Sequence, residues 1–152
     1  EADTEEQLRA QLKRLLESQK MTEQEAECIR IRDIRRFVES RLGQRMKKAA
    51  MKKHLYREQP FVIQRSASML DDGWKNETVL VQGIIDAYFM EEEEIVLVDY
   101  KTDRVRRGQE QKLIDLYHVQ LEDYARALER MTGKRVKEKI IYSFTLKKEI
   151  LL

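Results

Sequence analysis

Residues 78–101 read TVLVQGIIDAYFMEEEEIVLVDYK, and this stretch decides the fold. It holds two apolar runs rich in valine, isoleucine and aromatic residues, separated by the four glutamates Glu91 to Glu94. β-branched and aromatic residues favour strands, and a short charged break between two such runs favours a turn. The stretch therefore predicts a β-hairpin with a first strand over Thr78–Met90. The second strand, over Ile95–Tyr100, is mainly apolar and predicted to be buried on both faces.

Charged side chains interrupt this apolar pattern at three positions. Asp86 follows Gly83-Ile84-Ile85, whereas Asp99 and Lys101 follow Val96-Leu97-Val98. A buried carboxylate without a partner is unfavourable, so these side chains need partners nearby. Asp99 and Lys101 are two residues apart on a strand and therefore point to the same side. The spacing predicts that Asp86 ends the preceding strand and converges on them across the hairpin.

Two carboxylates and an ammonium group at one rim of a sheet can hold a cation. Mg²⁺ prefers carboxylate, carbonyl and water oxygens and keeps positions open for a phosphate. We predict that Asp86, Asp99 and the backbone carbonyl of Tyr100 bind Mg²⁺, with Mn²⁺ as an alternative ion. Lys101 would stabilise negative charge in the transition state of phosphodiester hydrolysis. The alternative is an ordinary ion pair at a strand end, because an Asp-x-Lys tripeptide alone is common.

A polar pair lies within the long helix predicted after the hairpin, from about Gln109 to Met131 and closed by Gly133. Gln120 and Tyr124 are four residues apart and share one helix face. We expect them to support the metal-site carboxylates, a water or a DNA phosphate. The alternative is a core Tyr124 and a Gln120 that reaches solvent. The predicted apolar stripe comprises Leu113, Ile114, Leu116, Tyr117, Leu121, Tyr124, Ala125 and Leu128.

The rest of the chain predicts helices first and strands later. Leucines at helical spacing from Leu8 to Leu16 indicate a first helix, and the capping box Thr22–Glu25 begins a second. A third helix runs from about Ile34 to Lys47 and is weakened at Gly43. Further predictions are a strand over Tyr56–Arg65, in which Pro60 indicates either a sheet edge or an irregular start, a turn at Asp71-Asp72-Gly73 and a final strand over Val136–Leu146. This order favours one α/β domain with a mixed sheet.

Composition limits the classes of function. The 152 residues suit one domain, and a charged fraction of 38% with a net charge of +2 places any basic surface locally. The single cysteine, Cys28, excludes an internal disulfide and favours a reducing, intracellular setting. No apolar run approaches the ~18 residues of a membrane span. Because the chain opens with Glu1 instead of methionine, we expect a fragment of a longer protein.

A family resemblance follows from the motifs in their order. Gly83-Ile84-Ile85-Asp86, Asp99-Tyr100-Lys101-Thr102-Asp103 and Gln120-Leu121-x-x-Tyr124-Ala125 resemble the motifs of the RecB-like branch of PD-(D/E)xK nucleases. Arg57-Glu58-x-Pro60-Phe61 resembles a segment that precedes them in that branch. The similarity covers about Arg57 to Phe144 and is strongest to the nuclease domains of AddAB-type helicase–nucleases.

The resemblance implies a restriction-endonuclease-like α/β core, a mixed and mainly antiparallel sheet flanked by helices. It implies Mg²⁺-dependent cleavage of single-stranded DNA that a linked ATP-dependent helicase unwinds during double-strand-break repair by recombination. Asp86 and Asp99 would be metal ligands, Lys101 the catalytic lysine, and Gln120 with Tyr124 the supporting pair. The partner would be an AddB-type protein, in the bacterial cytoplasm. The domain would span 1–152, with a helical lead-in over 1–50 and the nuclease core over 53–152.

One departure and two open assignments accompany this resemblance. Members of the branch usually carry a histidine metal ligand on an upstream helix, and this chain has no evident match for it. Glu58 could assist the metal site, although a salt bridge on an edge strand is the alternative. The basic cluster of Arg104, Arg106 and Arg107, together with Lys101, could track DNA phosphates; a solvated loop is the alternative. A catalytically incompetent module that binds DNA or a partner is the competing function.

Overall fold

The computed structural model describes residues 2–17, 32–66 and 78–152. The predicted helix that begins at Thr22 and the predicted Asp71-Asp72-Gly73 turn lie outside these residues. The elements in chain order are α1 (Ala2–Glu17), α2 (32–39), α3 (Arg41–Met51), β1 (Leu55–Ser66), β2 (Thr78–Glu91), β3 (Glu94–Lys101), α4 (Glu110–Thr132), β4 (Val136–Ser143) and β5 (Lys148–Leu151).

The five strands form one sheet in the order β1-β2-β3-β4-β5. β1, β2 and β3 pair as an antiparallel meander, β3 pairs with β4 in parallel, and β4 pairs with β5 antiparallel. A parallel pair needs a crossover connection, and α4 is that crossover. The predicted mixed, mainly antiparallel sheet flanked by helices is therefore confirmed.

Apolar side chains cover both faces of the sheet. On one face, Leu12 of α1 and Phe37 of α2 pack with α3 against the sheet. On the other face, α4 packs through Leu113, Leu121 and Leu128. β3 lies between these layers, and its six central residues are buried, as predicted for a strand covered on both sides. The site residues at the end of β3 therefore stand on a rigid, central strand.

The predicted hairpin is confirmed, with a two-residue turn at Glu92 and Glu93. Glu91 pairs with Glu94, and both turn residues have positive φ, +50° and +69°. A two-residue turn with positive φ at both positions has a twist that matches that of the flanking strands, and asparagine or glycine usually occupies these positions. Cations from neighbouring elements neutralise the glutamates, since Lys134 binds Glu93 and Lys137 lies 3.2 Å from Glu91.

The predicted third helix is divided, and its break lies at Ser40 instead of Gly43. Ser40 is extended, and its Oγ accepts a hydrogen bond from the Gly43 amide at 3.1 Å, which caps α3. Gly43 lies inside the first turn of α3 for a packing reason. A Cβ there would stand 2.2 Å from the Phe37 carbonyl oxygen and 2.7 Å from that of Val38. The glycine allows the close approach of two backbones.

Two further predictions need correction. The predicted final strand over Val136–Leu146 ends at Ser143, and the chain turns back to form β5. Leu116, assigned to the apolar stripe of α4, is 66% exposed. Pro60 does lie on an edge strand, because β1 ends the sheet, and Gly133 closes α4 with φ +68°, both as predicted.

Within the described ranges, no helix combines the length and apolar character that crossing a membrane requires.

Candidate active site

Asp86 lies where β2 and β3 separate. The Asp86 Oδ2 atom accepts a hydrogen bond from the Tyr100 amide at 2.9 Å. The pairing of β2 with β3 ends at Ala87 and Val98, so this side chain takes the place of the next main-chain acceptor. Asp86 was expected at the end of its strand. Instead β2 continues to Glu91, and Asp86 lies inside it.

The Tyr100 carbonyl faces the same gap. On β3, the Lys101 carbonyl accepts a hydrogen bond from the Phe144 amide at 3.0 Å and so points towards the β4 side. Backbone groups of successive strand residues point to opposite neighbours. The Tyr100 carbonyl therefore points towards β2, where Asp86 lies. This orientation suits the predicted role of the Tyr100 carbonyl as an oxygen ligand.

The Asp86 and Asp99 carboxyl groups interact with each other. Asp99 is 3% exposed. Burial, the charge of Asp99 and a hydrogen bond between the two carboxyl groups together raise the pKa of Asp86 to about 7, although the Tyr100 amide and Lys101 act to lower it. The two carboxylates repel each other, so the site retains a proton near neutral pH unless a cation replaces it.

Lys101 is enclosed between the sheet and α4. Its Nζ atom lies 2.9 Å from Asp99 Oδ2 and donates a hydrogen bond to Gln120 Oε1 at 3.0 Å. The Asp99 Oδ2 atom has this ion pair but accepts no hydrogen bond among the described residues. Nζ also stands 3.9 Å from the ring centroid of Tyr117. The Lys101 side chain is 15% exposed, so its ammonium group is largely removed from water.

Tyr124 stands on the same face of α4 as Gln120. Its ring packs edge-on against Phe61 of β1, with centroids 5.0 Å apart. Burial raises the pKa of Tyr124 to about 12, and the charges of Asp99 and Asp86 contribute. The hydroxyl is therefore protonated at neutral pH, in the electrostatic field of both carboxylates.

Glu58 forms a salt bridge, which was the alternative to a role at the metal site. Its Oε1 atom lies 2.8 Å from an Arg14 side-chain nitrogen of α1, and both side chains are more than half exposed. Glu58 lies opposite Asp86 on β1 and has a φ of +52°. At this point the side chains switch from one face of the sheet to the other. Ile85 belongs to the core cluster on the α4 side, whereas Ala87 belongs to the cluster on the α3 side. The bend at Glu58 thus accompanies the turning point of β2 at Asp86.

The loop between β3 and α4 carries the predicted basic cluster. Arg104, Arg106 and Arg107 are exposed, and they follow Lys101 directly at the rim where β2 and β3 separate. Their position next to the carboxylate pair suits contacts with a phosphate backbone.

Two residues near the site were missed from the sequence. Tyr117 lies three residues before Gln120, a spacing that places both on one helix face. Its hydroxyl donates a hydrogen bond to Asp103 Oδ2 at 2.6 Å. Gln11 of α1 donates from Nε2 to the Asp86 carbonyl at 2.9 Å. The helical spacing signals Tyr117, but no local pattern signals Gln11, because its contact joins residues 75 positions apart.

The donor set fits a divalent cation that prefers oxygen. The carboxyl groups of Asp86 and Asp99 and the Tyr100 carbonyl converge, and the pKa of Asp86 is raised first by burial and then by the negative charge of Asp99. Mg²⁺ is typically held by one or two carboxylates and keeps several waters and substrate oxygens. Among residues 2–17, 32–66 and 78–152, no group of three or more His, Cys, Asp or Glu side chains could hold a metal.

Comparison with known families agrees with this geometry. The sequence profile of the PD-(D/E)XK nuclease superfamily matches residues 1–150. The chain belongs to the PD-(D/E)XK nuclease superfamily. Hence the predicted family is confirmed, and the site at the rim of β2 and β3 lies in a nuclease fold.

Individual relatives are named as subunits of ATP-dependent helicase/nucleases. The chain is 38% identical over 150 residues to the one from Clostridium novyi, and the match covers 95% of this chain and 12% of that protein. It is 43% identical over 144 residues to the one from Acetivibrio thermocellus, covering 91% and 11%. The relative from Thermoanaerobacter sp. strain X514 is 41% identical over 141 residues, covering 90% and 11%. The chain thus spans about one eighth of the length of these curated relatives, which are of the AddA type.

Proposed function

We propose that this chain is a Mg²⁺-dependent deoxyribonuclease domain that hydrolyses phosphodiester bonds of single-stranded DNA. The observation that carries the proposal is the set of Asp86, Asp99 and Lys101, with one buried and one partly buried carboxyl group and one ammonium group at a sheet rim. Keeping such a set buried is unfavourable for stability, and binding a divalent cation beside a phosphate gives it a use. Mn²⁺ would meet the same ligands.

Each residue has a task in this proposal. The bound cation would polarise the scissile phosphate and lower the pKa of a water. Asp86, Asp99 and the Tyr100 carbonyl would hold the cation. Lys101, fixed by Gln120, donates to a phosphate oxygen on which negative charge develops. Tyr124 closes the side of the site that α4 forms.

The wider setting is also a proposal. The relatives are named helicase/nuclease subunits, and the chain spans about one eighth of their length. We propose that the domain acts within an AddAB-type helicase–nuclease with an AddB-type partner, in recombinational repair of double-strand breaks in the bacterial cytoplasm. Its substrate would be the strand that the helicase portion unwinds. Arg104, Arg106 and Arg107 would guide that strand through its phosphates.

A cleavage assay tests the proposal. The purified chain is incubated with end-labelled single-stranded DNA, with and without Mg²⁺, beside Asp99→Asn and the matched exposed control Asp115→Asn. We expect cleavage that needs Mg²⁺, falls at least about 100-fold in Asp99→Asn and persists in the control. A silent chain is retested within the full-length protein. Metal-dependent cleavage that survives Asp99→Asn there would contradict the proposal. DNA binding without any cleavage would favour the incompetent module.

A further inference from the structure

The aromatic ring under Lys101 has no role in the function proposed so far. Tyr117 presents its face to the ammonium group, with Nζ 3.9 Å from the ring centroid. A cation above a ring face at less than about 6 Å is attracted by the negative charge of that face, more strongly when water is excluded. With its side chain 15% exposed, Lys101 meets this condition.

Three groups surround the Lys101 ammonium group. Asp99 and Gln120 lie on two sides of Nζ, at 2.9 Å and 3.0 Å. The ring of Tyr117 occupies a further side. A lysine side chain is flexible and its ammonium is a compact point charge, so one partner cannot fix it. Held by Asp99 alone, the group could collapse onto the carboxylates and compete with a cation for them. The ring draws it instead towards α4.

Tyr117 is itself held in place. Its hydroxyl donates to Asp103 Oδ2 at 2.6 Å. Burial raises the pKa of Tyr117 to about 12, and the hydrogen bond to Asp103 contributes, so the hydroxyl remains a donor. The Asp103 carbonyl in turn accepts a hydrogen bond from Thr145 Oγ1 at 2.6 Å. Since Asp103 follows Lys101 by two residues, the ring is tied to the same strand end that carries the lysine.

We propose that Tyr117 is a positioning residue: its ring face, tied down through Asp103, fixes the Lys101 ammonium at a set distance from the metal-site carboxylates. This role rests on the proposed nuclease function. It assigns the ring face to positioning and the hydroxyl to holding the ring. Removal of the ring is then expected to affect the chemical step, whereas removal of the hydroxyl alone has a smaller effect.

Two measurements on the full-length protein test this role in Tyr117→Leu, Tyr117→Phe and Asp103→Asn. The first is kcat and KM for cleavage of single-stranded DNA. The second is labelling of Lys101 by an amine-reactive ester, quantified by peptide mass spectrometry relative to the exposed Lys112 of α4. We expect kcat to fall about 3- to 30-fold in Tyr117→Leu with little change in KM. Labelling of Lys101 should rise in the same variant.

The conservative variants separate positioning from packing. Tyr117→Phe keeps the ring and should lose less than about 3-fold in kcat, with Asp103→Asn similar or intermediate. Equal kcat and equal labelling in Tyr117→Leu and Tyr117→Phe would overturn the inference while leaving the nuclease proposal intact. Labelling that rises without a fall in kcat would also overturn it. If the wild-type protein does not cleave DNA, the nuclease proposal and the catalytic role of the ring fail together, and labelling decides whether the ring shields Lys101.

Discussion

The Asp86 carboxylate accepts the Tyr100 amide at 2.9 Å, in the position where a continuous ladder would place a main-chain carbonyl. This contact marks the point where the central strands separate, just beyond the Ala87–Val98 pair. A side chain thus completes the hydrogen bonding of β3 at this point. The same residue keeps the strand end ordered and supplies a candidate ligand.

The metal-free protein should lose stability as the pH rises from about 4 to about 7. The pKa of Asp86 is raised to about 7 by burial and by Asp99, so in this range the folded state holds a proton that the unfolded state has released. The expected loss is on the order of 2–4 kcal/mol, levelling above pH 7. Urea unfolding in a chelator at pH 5, 6, 7 and 8 measures it.

Asp86→Asn provides the comparison for this pH profile. The variant lacks the titrating group, so its free energy of unfolding should change less over the same range and exceed that of the wild type at pH 8. Parallel profiles for the two proteins would contradict the assignment of the shift to Asp86.

Removing positive charge from the loop after β3 should lower the affinity for DNA and make that affinity less dependent on salt concentration. Replacing Arg104, Arg106 and Arg107 by alanine removes three exposed cations. If each neutralises a phosphate of a single strand, the slope of log Kd against log salt should fall by about 2. Fluorescence anisotropy from 50 to 200 mM salt, with Asp99→Asn in the background to prevent cleavage, measures the slope.

A second basic triplet serves as the matched control. Lys48, Lys52 and Lys53 are also exposed, but they lie beside the hairpin turn, where the Met90 amide bonds the His54 carbonyl. That turn is at the opposite end of β3 from Lys101. An equal loss of slope in both triple variants would refute a specific DNA path over the loop.

Gly43→Ala should destabilise the fold although alanine favours helices. The added Cβ would meet the Phe37 carbonyl oxygen at 2.2 Å, so α2 and α3 must move apart. Overpacking of this kind outweighs the helix preference, which is at most about 1 kcal/mol, for an expected net loss of 1–3 kcal/mol or roughly 5 °C in Tm. Lys48→Ala, exposed on the same helix, should leave Tm within about 1 °C. A higher Tm for Gly43→Ala would show that the helices do not approach this closely.

Arg45→Met should show how much a partly buried network of ion pairs contributes to stability. Arg45 binds Glu91 at 2.8 Å and also binds Glu138, and its side chain is 15% exposed. Hydrogen bonds to Glu91 hold the pKa of Arg45 above its usual range. Without the Arg45 guanidinium, two partly buried carboxylates lose this partner. The free energy of unfolding should therefore fall by about 1–3 kcal/mol.

The same substitution at Arg35 is the control for Arg45→Met. Arg35 pairs with Glu39 across one helical turn, with side chains 71% and 63% exposed. Such exposed pairs contribute only about 0.3–0.5 kcal/mol. If chemical denaturation gave equal losses for the two variants, the shielding of the Arg45 network would have no energetic consequence.

Local patterns allowed the hairpin and the proximity of Asp86, Asp99 and Lys101 to be predicted. Asp86, Asp99 and Lys101 lie on two consecutive strands, so the alternation of side chains brings them to one rim. The family motifs contain these three residues in the same order along the chain. Their convergence follows from the sequence, whereas their catalytic roles stay predictions until the variants are measured.

The features that were missed depend on contacts between distant elements or on unusual turns. The contact of Tyr117 with Lys101 requires the rotation of α4 about its axis, which packing against the sheet sets. β5 was missed because its turn has Lys147 at φ +59° and no glycine, proline, asparagine or aspartate. The Ser143 carbonyl and hydroxyl hold this turn by accepting the Lys147 and Leu146 amides.

The parallel pairing of β3 with β4 has a consequence for the time at which the proposed site becomes complete. Asp86 and Asp99 belong to one hairpin and can meet as soon as that hairpin has been synthesised. Gln120 and Tyr117 reach Lys101 only after α4 has crossed the sheet and β4 has added to β3. Chemistry at this site therefore waits for the C-terminal third of the chain, and a nascent domain with an early hairpin holds its carboxylates without an ordered lysine.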